Sequence, residues 1–182
     1  MSKRAIVAVD IQNEYFASGK LPLVGIEEAA ANAAKVLAHA RAKGDLVIHV
    51  RHETSDPQDP IFIPGTPGVE ISPIVGPLSG ETVIVKNYPN SFRETGLKEI
   101  LDAKGIEEVV LVGAMTHMCI DATARAAADF GYSTVTVHDA CATLDLEFEG
   151  ATVPAAQVHA AIMSALAFAY GEVIDTNALL SR

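Results

Sequence analysis

VVLVGAMTHMCIDATAR, residues 109–125, predicts a buried strand, a tight turn and a helix. The run 109–112 is continuously apolar, which is typical of a parallel strand covered on both faces. Gly113 ends this strand, and residues 120–128 favour a helix because they are rich in alanine and contain no Gly or Pro. Thr116 is the expected cap of that helix. The stretch therefore predicts one strand–turn–helix unit of an α/β sheet, with Cys119 in the first turn of the helix.

Cys119 has two interpretations at this point. A thiol at a helix N-terminus lies at the positive end of the dipole, which lowers its pKa from the usual value of about 8.5 and favours the thiolate. The exposed amides of the same turn can hold a developing oxyanion. A cysteine in an apolar segment is otherwise more often an inert core residue. A nucleophilic role therefore requires partners from elsewhere in the chain.

The composition bounds the class of protein. The 182 residues fit one domain, 1–182, and are 20% charged and 49% hydrophobic, which is typical of a globular protein. The net charge is -10 and no basic run is longer than Lys3-Arg4, which argues against nucleic acid or an anionic membrane as a partner. No apolar run approaches the about 18 residues of a membrane span. We therefore expect a cytoplasmic protein in which Cys119 and Cys141 are free thiols.

Strand and helix patterns alternate along the whole chain. Strands are predicted at 5–9, 46–50, 82–85, 109–112, 133–137 and 172–174, and helices at 27–43, 96–104, 120–128 and 154–170. With right-handed crossovers, this alternation predicts a three-layer α/β/α sandwich around a mainly parallel six-stranded sheet, a Rossmann-like architecture.

Two segments depart from this simple alternation. Segment 54–80 holds most of the prolines yet also several apolar residues, and a loop of this length inside a compact domain suggests a lid or a pocket wall. Segment 153–169 is apolar almost all round, so we expect this helix to be buried on more than one face. Such a helix favours a subunit interface, and we expect a homo-oligomer, either a dimer or a tetramer.

Three reactive side chains follow three different predicted strands. Asp10 follows the first, Lys86 the third and Cys119 the fourth. The carboxyl ends of parallel strands share one edge of the sheet, so the three residues can converge on one crevice. Together they supply a nucleophile, a proton acceptor and a cation. Each alone is a weak signal, and Asp10 taken by itself favours the role of a loop cap.

At this point the sequence resembles the isochorismatase-like cysteine hydrolases, a family that includes nicotinamidases and N-carbamoylsarcosine amidohydrolases. The matching segments run in the family's order over nearly the full length. They are AIVAVDIQNEYF (5–16), GTPGVEISP (65–73), VIVKNYPNSF (83–92), VGAMTHMCIDATARAA (112–127) and VHDACAT (137–143). The resemblance implies the isochorismatase-like hydrolase fold and a hydrolase that acts on a small-molecule substrate.

The resemblance also implies roles for particular residues. Asp10, Lys86 and Cys119 match the family's catalytic triad, and Ala114-Met115 matches a turn that carries a cis peptide bond. That turn, with Cys119, would hold the oxyanion while a C–N bond is hydrolysed through a thioester. Loop position further suggests a set of pocket residues: Phe16, His52, Phe62, Tyr88, Phe92 and His117.

The sequence departs from two branches of this family. Nicotinamidases carry an Asp-x-His motif as part of a metal site, and this chain lacks that motif after its second strand, so we expect no catalytic metal and no cofactor. True isochorismatases cleave a vinyl ether and typically lack the cysteine, so Cys119 favours hydrolysis of an amide or a ureido group. Vinyl-ether hydrolysis, and a non-catalytic oligomeric binding protein on the same fold, remain the alternatives.

Overall fold

The computed structural model describes residues 3–56 and 58–182. Its strands are β1 (Arg4–Val9), β2 (Leu46–His52), β3 (Thr82–Lys86), β4 (Glu108–Ala114), β5 (Ser133–Ala142), β6 (Leu146–Phe148), β7 (Ala151–Val153) and β8 (Glu172–Ile174). Its α-helices are α1 (Ile26–Lys43), α2 (Leu97–Ala103), α3 (Asp121–Asp129), α4 (Ala155–Ala169) and α5 (Thr176–Leu180).

Six parallel strands form the central sheet, in the order β3-β2-β1-β4-β5-β8. Alternate residues of β1 face opposite layers: Val7 packs with the apolar residues of α2, α3 and α4, whereas Ile6 packs with those of α1 and α5. The two clusters bury both faces of the sheet, as parallel sheets require. The prediction of a three-layer α/β/α fold with a six-stranded sheet is confirmed.

The elements that the sequence analysis missed are short. β6 and β7 form an antiparallel hairpin, and α5 closes the chain. The hairpin turn is Glu149-Gly150, where both residues have positive φ (50° and 78°), as a two-residue hairpin loop requires. β5 also extends five residues beyond its predicted end, through Ala142. Its extension carries His138 and Asp139, polar residues that masked the strand pattern.

Segment 54–80 folds back over the edge of the sheet. It contains two 3-10 turns, Pro67–Val69 and Pro73–Val75, and the last residue of each is buried. Ile11 and Asn13 in the loop after β1 make main-chain hydrogen bonds to Ser72 and Glu70. The segment is therefore packed against the loop that follows Asp10.

Helix α4 is buried on one side within the single chain. Val158, Met163 and Leu166 are buried, but Phe168 is 91% exposed. The expectation that this helix is buried on more than one face is thus not met within one copy. The expected homo-oligomer stays a prediction.

In the described parts of the chain, no helix combines the length and the apolar character that a bilayer span requires.

Candidate active site

The structure brings Asp10, Lys86 and Cys119 together at the carboxyl edge of the sheet. Lys86 is the last residue of β3, Asp10 directly follows β1, and Cys119 lies in the turn that follows β4. The Lys86 Nζ lies 2.6 Å from Asp10 Oδ2 and 3.4 Å from Cys119 Sγ. All three residues are buried. A carboxylate, an ammonium and a thiol therefore share one water-poor site.

The Asp10 carboxylate depends on the other two residues for its contacts. Apart from the Lys86 ion pair and the Cys119 thiol, neither of its oxygens has a hydrogen-bond partner among the described residues. The main chain holds Asp10 at a positive φ of 51°, with its N–H donating to the Val50 carbonyl at 2.9 Å. A buried carboxylate with so few partners requires its counter-ion, because an unpaired buried charge is costly. Asp10 thus keeps an acceptor oxygen available to the thiol.

The expectation of a lowered pKa for Cys119 is wrong. Burial, and then the nearby Asp10 carboxylate, raise the pKa of Cys119 well above its usual range, while Lys86 acts in the opposite direction. Desolvation disfavours the thiolate and here outweighs the helix terminus. At rest, therefore, Cys119 is a neutral thiol that lies beside a proton acceptor.

The turn that carries Cys119 has a special backbone. The Ala114–Met115 peptide bond is cis, and residues Thr116–Ile120 form one π-helical turn that leads into α3. Thr116 makes no side-chain cap, contrary to expectation. Its hydroxyl instead donates to the Ala142 carbonyl at 3.3 Å and lies 2.9 Å from His159 Nδ1. Single π turns inside helices occur frequently at functional sites.

His52 is a third partner of the lysine. Its Nδ1 lies 3.2 Å from Lys86 Nζ. Burial, and then the Lys86 charge, lower the pKa of His52. The imidazole is therefore neutral near pH 7, and Nδ1 accepts a hydrogen bond from the ammonium. The three N–H donors of Lys86 are thus directed at Asp10, Cys119 and His52.

Gln12 fixes the main chain on which His52 lies, and the sequence analysis missed it. Its Nε2 donates to the carbonyls of His52 (2.9 Å) and Val69 (2.7 Å), and its Oε1 accepts from the His52 N–H at 2.9 Å. A glutamine two residues beyond Asp10, at the end of a buried strand, was the available signal. Gln12 joins the end of β2 to segment 54–80.

A cavity of about 260 Å³ opens onto Cys119. Phe62 forms part of its wall, edge-on to Tyr15 (5.2 Å between ring centroids) and to His52 (5.3 Å). Of the predicted residues, His52, Phe62, Met115 and Cys119 line this cavity. The complete lining is Tyr15, Leu21, His52, Thr54, Asp59, Pro60, Ile61, Phe62, Pro89, Met115, Met118 and Cys119.

Four residues predicted for the pocket lie elsewhere among the described residues: Phe16, Tyr88, Phe92 and His117. Phe92 packs edge-on against Phe130 in the core, and the Arg93 guanidinium lies 3.6 Å from the centre of the Tyr88 ring. His117 Nδ1 contacts Thr143 Oγ1 at 2.6 Å, and Phe16 packs between two apolar clusters. Position in a loop thus indicated the region but not the direction of these side chains.

The histidines of β2 do not form a metal pair. His49 Nε2 contacts Glu81 at 3.0 Å, whereas His52 contacts Lys86. Within residues 3–56 and 58–182, no group of three His, Cys, Asp or Glu side chains is placed to hold a metal ion. That no catalytic metal is needed stays a prediction.

Comparison with known proteins identifies a family. An isochorismatase domain matches residues 4–178. The isochorismatase family protein YddQ of Bacillus subtilis is 49% identical, with 97% of this chain and 98% of that protein covered. The maleamate amidohydrolase of Pseudomonas putida is 32% identical over 75% of this chain and 71% of its own length. The crystal structure of an isochorismatase hydrolase from Oleispira antarctica superposes with a TM-score of 0.95 at 54% identity, covering 98% and 96% of the two chains.

Proposed function

The chain belongs to the isochorismatase family and is a hydrolase, and we propose that it cleaves a C–N bond of an amide or ureido group through a thioester on Cys119. Relatives support the bond type, because one is named as an amidohydrolase. The substrate is a small molecule, as the cavity of about 260 Å³ is smaller than the about 300 to 1,000 Å³ typical of drug-sized ligands.

One observation carries this proposal: the buried Asp10–Lys86 ion pair contacts a thiol that opens onto a cavity. A neutral thiol is a weak nucleophile and needs an adjacent base. Asp10 is that base, since its carboxylate acts directly on the Cys119 thiol and raises the pKa of that thiol. Lys86 is the buried counter-ion of this carboxylate, at 2.6 Å from Oδ2.

Acylation follows from these positions. As Sγ of Cys119 attacks the substrate carbonyl carbon, its proton passes to Asp10, and the carbonyl oxygen gains the negative charge. Backbone N–H groups of the turn that contains Ala114, Met115 and Cys119 stabilise that oxygen. The C–N bond then breaks, Asp10 returns the proton to the leaving nitrogen, and the acyl group stays on Sγ as a thioester.

Deacylation reuses the same carboxylate. Asp10 takes a proton from a water molecule while the oxygen of that water attacks the thioester carbonyl carbon. The C–S bond breaks, a carboxylic or carbamic acid leaves, and the proton returns to Sγ. Throughout, the Nζ of Lys86 contacts Asp10 and, in the transition states, stabilises the developing thiolate.

The test is ammonia release from a panel of primary amides and ureides by the wild type, Cys119→Ala and the matched control Cys141→Ala. We expect Cys119→Ala to lose at least about 10⁴-fold in kcat/KM, since a lost covalent nucleophile has effects of this size. Cys141→Ala should keep its activity within about threefold because Cys141 does not line the cavity. A Cys119→Ala variant that keeps its activity would exclude catalysis through a thioester on Cys119.

A further inference from the structure

The walls of the active-site cavity are apolar. Apart from the residues of the site itself, the lining is mostly aliphatic, aromatic or thioether side chains: Leu21, Pro60, Ile61, Phe62, Met115 and Met118. The lining residues that the structure describes include no lysine or arginine. A substrate carboxylate or phosphate in this cavity would thus lose its hydration without finding a cation, and burial of an unpaired charge is strongly unfavourable.

The buried lysine cannot take that role. Its Nζ already contacts Asp10, Cys119 and His52. A substrate anion that displaced Asp10 from Lys86 would also remove the base on which acylation depends. His52 offers no positive charge either, because burial and Lys86 lower its pKa.

Asp59 adds a negative charge at the mouth of the cavity. It lines the cavity and is exposed, and Thr54 donates its hydroxyl to the Asp59 carboxylate. Its charge acts on the site, since it opposes the lowering of the His52 pKa. The net charge of the chain, -10, has the same sign. An anionic ligand is therefore repelled before it reaches Cys119.

We propose that this hydrolase accepts substrates whose acyl group is small, apolar and uncharged, and that Asp59 at the cavity mouth rejects anionic amides. This inference rests on the proposed function, because it assigns the substrate class of the same site. It names Asp59 as a specificity residue that takes no part in the bond-breaking steps.

Three primary amides of equal chain length test the charge preference: hexanamide, 6-aminohexanamide and adipic acid monoamide. We expect kcat/KM to be highest for hexanamide and at least about 100-fold lower for the anionic monoamide. If the anionic amide is hydrolysed as fast as hexanamide, the inference is wrong although the proposed function stands. Faster hydrolysis of the cationic amide would likewise overturn the requirement for an uncharged group.

A second measurement does not depend on hydrolysis. Iodoacetamide is neutral and iodoacetate is anionic, and both alkylate thiols. The ratio of their alkylation rates at Cys119, divided by the same ratio for glutathione, therefore reports the electrostatic field at the Cys119 thiol. We expect a normalised ratio of at least about 10 in favour of iodoacetamide. A normalised ratio near or below one contradicts the inference, whether or not any amide is hydrolysed. The absence of hydrolysis of every amide and ureide in the panel would separately contradict the proposed function.

Asp59→Asn tests the named residue against Asp56→Asn as a matched control. Asp56 is exposed in the same loop and does not line the cavity. We expect Asp59→Asn at low salt to lower about fivefold both the preference for hexanamide over the anionic monoamide and the preference for iodoacetamide over iodoacetate. Asp56→Asn should leave both preferences within about twofold of the wild type. Equal effects of the two substitutions would show that only net charge matters and would remove the role of Asp59.

Discussion

The two cysteines of this chain have similar burial but different surroundings. Cys119 is 6% exposed and Cys141 is 7% exposed. Cys119 lies in the turn after β4, and Cys141 of the neighbouring β5 is paired with Gly113 of β4. Burial raises the pKa of Cys141 to about 12 and also raises that of Cys119. Neither is a thiolate at rest, so the pKa alone does not distinguish a nucleophile from a core residue.

The difference lies in the partners. Cys119 has a carboxylate and an ammonium within reach, whereas Cys141 accepts a backbone N–H from Gly113. The carboxylate whose charge acts on Cys141, Asp139, accepts hydrogen bonds from the N–H and hydroxyl of Thr176, both at 2.8 Å. A buried thiol becomes reactive where a base can take its proton, and Asp10 is the carboxylate placed to do so for Cys119.

The largest effect is expected from Lys86→Met, which removes what distinguishes Cys119 from Cys141. The substitution leaves Asp10 as an unpaired buried carboxylate, so we expect a loss of about 3 to 5 kcal/mol in the free energy of unfolding, measured by urea denaturation. We also expect hydrolysis to fall below detection. The control is Lys98→Met, which breaks an exposed pair with Asp102 and should cost less than about 0.5 kcal/mol. Equal stability losses would contradict the buried pair.

Gly113→Ala disturbs β4, the strand that precedes the turn of Cys119 and pairs with Cys141 of β5. Gly113 has a φ of 131°, and a Cβ on it would lie 1.9 Å from the Val9 carbonyl oxygen. We expect a loss of about 3 kcal/mol in the free energy of unfolding. Gly96→Ala is the comparison, because a Cβ there meets no atom within 4 Å, and its cost should stay below about 1 kcal/mol. Similar melting curves for the two variants would refute this packing.

His52→Asn should alter the pH profile without abolishing activity. The pKa of His52 is lowered, so the imidazole is neutral at pH 7 and is protonated only as the pH falls below its ordinary value of about 6.5. Protonation removes an acceptor from Lys86 and adds a second cation beside it, so kcat should fall on the acid side. We expect the variant to lose about tenfold in kcat at neutral pH. We also expect the acid-side decline of its kcat to begin at a lower pH than in the wild type. An acid limb that stays unchanged, as expected for His138→Asn, would contradict this role.

Phe168→Asp should have the smallest effect on the active site. Phe168 is 91% exposed at the end of α4, and a large exposed apolar side chain favours an interface between copies. We expect the variant to dissociate by analytical ultracentrifugation while kcat per subunit stays within about twofold. A wild type that sediments as a monomer would end the prediction of a homo-oligomer.

The sheet could be predicted from local patterns because each strand is a short apolar run followed by a polar residue. That rule predicts Asp10 and Lys86 at one edge of the sheet, and the strand–turn–helix pattern of residues 109–125 adds Cys119 to that edge. The hairpin β6–β7 could not be predicted because its strands have three residues each. Three residues are too few to show the alternation of apolar and polar residues that indicates a strand. Its signal was the Glu149-Gly150 turn.

The state of Cys119 could not be predicted from sequence because burial is a property of the assembled site. A helix terminus favours a thiolate in isolation, yet desolvation from residues distant in the chain outweighs it. The same reason applies to His52, whose contact with Lys86 joins neighbouring strands 34 residues apart. The directions of Phe92 and His117 likewise depend on packing partners that no local pattern contains.

The most direct test of the central claim is intact-protein mass spectrometry of the wild type quenched in acid during turnover of hexanamide or another hydrolysed amide. We predict a mass increase equal to the acyl group, mapped by peptide analysis to Cys119 and absent from Cys141. Hydroxylamine should remove the adduct, as expected for a thioester. Turnover without any adduct on Cys119 across the quench times, or an adduct on Cys141, would contradict the account.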